Sequence, residues 1–294
     1  MQYIFIVLIF FTSIYALENI ETTKIKDSEA IDSMNTWIDG GFGLKPYKVN
    51  YLLPYGYRTN GIYDNYSPTG DYRNIEAELQ VSLQLGVGSG LFGLNEKYYL
   101  SYTHKAFWQI YVDSSPFRET TYNPEAFVVF PIEDKDSFLN MKSIKVAYAH
   151  RSNGQGSNAG TSTIVSTQRY NTNNQSRSMN YIYSEFSFQY DTLVTEFSFW
   201  IPFYETIHGT DNPDIMEYLG YTSLKFNYFL NKHMFTLMGR GNIETKQGAA
   251  EVTYSYPLIK DTYFYAKIFT GYGESLIDYN NYVTKFSIGF SFSR

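Results

Sequence analysis

Read in steps of two, one stretch of this chain after another separates into an apolar face and a polar face. Between Asn74 and Leu85, the residues Ile75, Ala77, Leu79, Val81, Leu83 and Leu85 fall on one face, with Glu76, Glu78, Gln80, Ser82 and Gln84 on the other. Near the C-terminus, Thr284, Phe286, Ile288, Phe290 and Phe292 oppose Lys285, Ser287, Gly289, Ser291 and Ser293. Side chains of a β-strand alternate between its faces, so a period of two puts one face in an apolar medium. Repeated along a chain whose other face stays polar, the pattern predicts an all-β fold: a single antiparallel transmembrane β-barrel.

Further strand-like stretches are Tyr98–Gln109, Ile144–Ser152, Asn180–Tyr190, Thr195–Phe203, Tyr221–Leu230, Glu251–Tyr256 and Thr262–Thr270, with Gly, Pro, Asn and Asp turns between them. At roughly twenty-odd residues per strand and loop, the chain accommodates about 12 strands, and bacterial barrels take even numbers. Aromatic residues make up 19% of the chain, with 30 Tyr and 23 Phe, which suits the interfacial girdles of a barrel. The mean hydropathy of -0.31 does not oppose this, because half of every strand lines a polar lumen. A soluble β-sandwich also alternates, but its apolar faces pack on each other in one core. The aromatic load, the apolar N-terminus and the Phe-rich last strand favour the barrel.

Tyr3 to Ile14 is the one long apolar run, too short for a spanning helix and of the length of a signal-peptide core. Residues 1–16 are therefore expected to be a removed signal peptide, 17–40 a polar N-terminal segment, and 41–294 the barrel. The expected location is the bacterial outer membrane. A net charge of -6 argues against nucleic acid as a partner. Cysteine is absent, which excludes disulfides, thiol nucleophiles and thiolate metal sites. Asn153–Gln175, rich in Gly, Ser, Asn, Gln and Thr, reads as a long loop that cannot bury a core.

Chemistry concentrates on either side of that loop. In Ile144–Ser152, the residues Ile144, Val146 and Tyr148 share a face with His150 and Ser152, while Lys145, Ala147, Ala149 and Arg151 take the other. An imidazole and a hydroxyl thus point toward lipid, a poor environment for them unless they are paired or working. Asn180 opens the next strand on the same outward face as Ile182, and a hairpin would set it beside His150. Its side-chain oxygen could accept from one ring nitrogen while the other takes the proton of Ser152, an arrangement of nucleophile, base and orienter. A His two residues from a Ser is by itself a weak signal; the shared outward face and the adjoining Asn strengthen it. A small passive porin with an inactive constellation stands as the alternative. A surface protease, whose residues would lie on lumen-facing loops, is opposed by the outward parity.

His150-Arg151-Ser152-Asn153-Gly154 followed by Ser176-Arg177-Ser178-Met179-Asn180 resembles the active-site signature of outer membrane phospholipase A. The runs 114–120 (SSPFRET), 211–215 (DNPDI) and 271–280 (GYGESLIDYN) are similar to that family too, and the likeness spans most of residues 74–294. The resemblance implies a twelve-stranded barrel that hydrolyses acyl esters of membrane phospholipids, requires calcium and is active as a homodimer. It implies Ser152 as nucleophile, His150 as general base, Asn180 as orienter and the N–H of Gly154 as an oxyanion donor. The calcium ligands it implies are the Gln155 carbonyl, the Ser176 hydroxyl and the carbonyl of Ser114 of the partner subunit. His104, outward with Leu100, Tyr102, Ala106 and Trp108, would lie on the dimer surface. His208 and His233 read as solvated turn residues, and Asp211 and Asp214 as parts of a turn around Pro213.

Overall fold

The architecture is taken from a computed structural model, which describes residues 30–31, 34, 43–61, 63, 72–132, 137–155, 175–203 and 211–294. The expected signal peptide, most of the polar N-terminal segment, His208 and most of the Asn153–Gln175 loop lie outside the described residues. Thirteen strand segments form one sheet among the described residues. They are β1 (Gly43–Pro46), β2 (Tyr51–Arg58), β3 (Ile75–Ser89), β4 (Lys97–Trp108), β5 (Phe117–Pro131), β6 (Met141–Ser152) and β7 (Ser178–Tyr190). β8 (Leu193–Phe203), β9 (Thr222–Leu230), β10 (His233–Asn242), β11 (Gln247–Ile259), β12 (Thr262–Gly271) and β13 (Val283–Ser291) complete it. One short helix, α1 (Ile215–Leu219), precedes β9.

β1 and β2 both pair with β3, through Pro46↔Leu83 and Tyr51↔Gln80, and so form one broken stave of a twelve-stave barrel. Asn50 spans the break: its Oδ1 accepts from Ser82 N at 2.5 Å and its Nδ2 donates to Ser82 O at 3.1 Å. β13 pairs with β2, through Phe286↔Tyr57 and Phe290↔Leu52, and closes the cylinder. Every pairing is antiparallel between sequence neighbours, apart from this closure and the β1–β3 contact. Closure is what hydrocarbon demands, since an open edge would leave unpaired amides without water.

The period-two pattern sorts as expected. Val81, Leu85, Leu100, Phe286 and Phe290 stand exposed on the outer wall, whereas Glu76, Glu78, Ser82, Lys285 and Ser287 are buried inside. The lumen near β3 is filled by ion pairs. Lys285 Nζ meets Glu76 at 3.2 Å, Glu78 at 3.3 Å and Glu274 at 2.6 Å, and Lys267 meets Glu78. Arg118 bonds Glu76 through Nε at 2.8 Å and Asp278 through Nη1 at 2.5 Å. Charges taken out of water cost several kcal/mol each unless well paired, and Lys285, Arg118, Glu76 and Glu78 each have two or more ionic partners. Glu76 and Glu78, on the polar face of the pattern, thus belong to a bonded interior. Lys225 pairs with Glu196 at 3.1 Å nearer solvent.

Connections are short after β7, β9 and β11 and long after β6, β8 and β12, which identifies the long-loop end as extracellular. At the short-turn end, Ala30 and Met34 of the N-terminal segment pack on Val194, Phe229 and Met234. His233 corrects its sequence reading: it begins β10, sits 2.8 Å from the Tyr254 hydroxyl and contacts the Phe235 and Tyr256 rings. An imidazole with a hydroxyl partner and aromatic neighbours belongs to the interfacial girdle rather than to bulk water.

The turn between β3 and β4 is organised by Glu96, which accepts from Phe92 N at 2.6 Å, Leu94 N at 2.9 Å and the Tyr98 hydroxyl at 2.9 Å. These donors, the Phe92 amide foremost, lower its pKa from 4.5 to about 2. A depressed carboxylate contributes stability above its unfolded pKa and loses it as pH falls through its folded pKa. Glu96→Gln should therefore lower the unfolding midpoint in detergent at neutral pH, and the deficit should close as pH falls from 4.5 toward about 2. A deficit independent of pH over that window would show that the charge plays no part in holding the turn.

Candidate active site

β6 climbs to the extracellular rim and ends at Ser152, and β7 leaves the rim at Ser178. Their register pairs His150 with Asn180 and Ser152 with Ser178. His150 and Ser152 share the outer face with Val146 and Tyr148, which are exposed, while Ala147 and Ala149 point inward and are buried. Asn180 shares its face with the exposed Ile182. Both strands thus present the polar trio on the outer wall, as alternation predicts.

The His150 Nδ1 lies 2.7 Å from the Asn180 Oδ1, which also accepts from the Tyr148 hydroxyl at 3.3 Å. An amide oxygen can only accept, so Nδ1 carries the proton, which in a neutral ring leaves the lone pair on Nε2. Ser152 lies two residues further along the same face, the i and i+2 relation that puts neighbouring side chains on one side of a strand. Its partner on β5 is Tyr122, whose ring meets His104 edge-on with centroids 5.3 Å apart. His104 Nδ1 is also 3.3 Å from the Tyr102 hydroxyl, so that histidine sits in an outward aromatic row rather than alone.

Past Ser152 the chain turns out of the ladder. Gly154 has φ +64°, and a Cβ there would stand 2.8 Å from Tyr122 Cε2. Both the backbone and the space require glycine. Asn153, only 2% exposed, ties both sides of the loop together. Its Nδ2 donates to Gln175 O at 2.7 Å, and its Oδ1 accepts from Arg177 N at 3.0 Å and Gln155 N at 3.3 Å. Gln155 and Ser176 are thereby held on facing segments. Ser114 is exposed in the β4–β5 connection with φ 62°, at the same extracellular end. Among the described residues no cluster of His, Cys, Asp and Glu is built to hold a metal. The donors at hand are carbonyl and hydroxyl oxygens, a set that suits a hard cation such as calcium.

Two residues to which the sequence reading gave no role matter here. Asn153 and Asn212 were each quoted only as part of a motif. A buried asparagine bonded to backbone leaves no periodic trace in sequence. Asp214 accepts from the Tyr279 hydroxyl, and burial, followed by that bond, raises the Tyr279 phenol pKa.

The sequence of residues 28–292 matches the family described as Phospholipase A1. The chain belongs to the phospholipase A1 family. It is 33% identical over 262 residues to the Phospholipase A1 of Salmonella typhimurium, covering 85% of this chain and 82% of that one. With the Phospholipase A1 of Klebsiella pneumoniae it shares 34% identity over 256 residues. Among solved structures, the outer membrane phospholipase A from Escherichia coli superposes with a TM-score of 0.75 at 31% identity, over 87% of this chain and 97% of that one. The Salmonella typhi outer membrane phospholipase dimer with bound calcium superposes with a TM-score of 0.73 at 31% identity, over 90% and 98% of the two chains. The protein is thus an outer-membrane β-barrel of a family of carboxylic ester hydrolases.

Gly154→Ala should leave the barrel folded yet lower acyl-ester hydrolysis by about tenfold or more, because the left-handed backbone and the Tyr122 ring both reject a Cβ. Turnover of short-chain esters in micelles, with heat-modifiable gel mobility as the folding control, checks this. An unchanged rate would show that the backbone at 154 is not needed by the reaction.

Proposed function

We propose that this chain hydrolyses the acyl ester bonds of membrane phospholipids, with A1/A2 activity, using Ser152, His150 and Asn180 on its lipid-facing wall. One observation carries the reading: the 2.7 Å contact between His150 Nδ1 and Asn180 Oδ1 on the outer face at the extracellular rim. Phospholipid esters sit at that depth of the bilayer, so the substrate meets the wall without leaving the membrane.

Asn180 holds the imidazole in the Nδ1–H tautomer, and Nε2 takes the Ser152 proton as Oγ attacks the ester carbonyl. The carbonyl oxygen gains negative charge, and the N–H of Gly154 donates to it. The tetrahedral intermediate collapses with the His150 proton delivered to the leaving alkoxide. Lysophospholipid departs and the acyl group stays on Ser152. Water, deprotonated by His150, then releases the fatty acid and restores the serine. A neutral orienter suits this low-dielectric wall, where a bare carboxylate would be costly to desolvate.

The Gln155 carbonyl, the Ser176 hydroxyl and the carbonyl of Ser114 of the partner subunit would hold calcium. When bound, the ion would supply positive charge that favours the negative charge developing in the reaction. The relative from Salmonella typhi, a dimer with bound calcium, supports a bound calcium and a homodimer here. If one ligand comes from the second subunit, calcium affinity and dimerisation are linked, each strengthening the other. Residues 1–16 would be removed as a signal peptide on the way to the outer membrane. A passive porin is disfavoured by the lumen, where Arg118, Lys267 and Lys285 with their carboxylates fill the section near β3.

Ser152→Ala is expected to abolish calcium-dependent release of fatty acid from phospholipid–detergent micelles, and chelating calcium should silence the wild type to the same level. Equal rates in wild type and Ser152→Ala would sink the proposal. In planar bilayers the wild type should show no steady porin-like conductance.

A further inference from the structure

The strand tip that carries Asn180 is bonded from both sides. Among the described residues β7 pairs with β8 up to Asn180↔Phe203, and its pairing with β6 runs on to Ser178. On its other side Ser178 is bonded by a side chain. Ser178 N donates to Asn212 Oδ1 at 2.9 Å, and Asn212 Nδ2 donates to Ser178 O at 3.0 Å. A primary amide presents a donor and an acceptor in one plane, as a peptide group does, so it can complete a ladder.

The clamp has a rigid base. Asn212 is 2% exposed, and its own carbonyl accepts from Ile215 N at 3.2 Å at the start of α1. Ile215, Met216 and Leu219 are buried against Met179, Leu276 and Tyr279. Gly220, just past the helix, approaches the Gly241 carbonyl so closely that a Cβ would stand 1.8 Å from it. On the opposite side of the tip, Asn153 grips Gln175 and Arg177. The tip of β7 is thus held between two buried asparagines, one from each neighbouring connection.

We infer that Asn212 is a positioning residue for the hydrolytic site: by pairing both backbone groups of Ser178 it holds β7 in the register that presents Asn180 to His150. The inference rests on the proposed reading of Ser152, His150 and Asn180 as the reacting set. Asn212 touches none of the reacting atoms; its influence passes through two residues of backbone. Losing the clamp lets the β7 tip drift, and displacement of an orienting group by about 1 Å can lower turnover by up to about a hundredfold.

The test is a double-mutant cycle on the full-length protein in calcium-containing micelles. Asn212→Ala should lower kcat by about tenfold or more with KM changed less than about twofold. In an Asn180→Ala background the same substitution should cost less than about twofold, because the group it positions is gone. Asn212→Asp keeps the acceptor for Ser178 N–H but loses the donor, so its kcat should fall between wild type and alanine. That variant also carries the test if the alanine protein fails to show heat-modifiable mobility. Wild-type kcat in a folded Asn212 variant, a loss confined to KM, or an equal loss with and without Asn180 would each overturn the clamp. Ser152→Ala separates the two levels: residual turnover there overturns the hydrolytic reading and the role of Asn212 with it, whereas an inactive Ser152→Ala beside a fully active Asn212→Ala overturns the clamp alone.

Discussion

A chain in hydrocarbon must pair every backbone amide with itself, and from that requirement the rest of this structure follows. Strands satisfy it only by closing, which β13 does on β2. Closure fixes parity, because a ladder slipped by one residue would turn Glu76, Glu78 and Lys285 out to the lipid. The cluster of charges inside and the apolar wall outside therefore enforce the same register from opposite faces. That shared register is what places His150, Ser152 and Asn180 on the outer wall together.

The interior and the wall accept polar groups on different terms. Inside, Lys285 has three carboxylates around it and Arg118 has two, so full charges are tolerated as a bonded solid. On the lipid face no such shell of partners is possible. The polar side chains of the candidate site there are an imidazole, a hydroxyl and an amide, and the imidazole and amide bond each other. In the proposed mechanism a neutral orienter is thus the choice that the medium allows, and the same hydrolytic logic in a water-filled cleft could use a carboxylate.

Much of this could be read from residue order, because alternation is a direct imprint of a two-sided medium. β3, β4, β6, β7, β8, β9, β11, β12 and β13 all overlap stretches where apolar and polar residues alternate cleanly. β5 escaped because Pro124 and Glu125 sit in its middle; Pro124 faces outward and Glu125 meets Lys48 in the lumen at 2.5 Å. β10 was hidden by Gly239 and Gly241, and the β1–β2 stave by its break around Asn50. In the site, parity alone brought His150, Ser152 and Asn180 to one face. Asn153 and Asn212 could not be found that way, since the bonds that give them their place run to backbone atoms of residues 22 to 34 positions away.

For the proposed mechanism, the location of the trio at the strand ends resolves a conflict between rigidity and chemistry. Within a ladder every N–H is committed to the neighbouring strand, which fixes side chains well but leaves no backbone donor for a reacting oxygen. Beyond the ladder donors are released, but the chain that carries them is loose. Ser152 is the last residue of β6, so His150 and Asn180 lie inside the ladder while Gly154 lies past it. The buried amides of Asn153 and Asn212 then extend ladder-like bonding past its end without using the backbone of another strand. A barrel rim is where such a junction occurs in a membrane protein, and it coincides with the depth at which lipid esters lie.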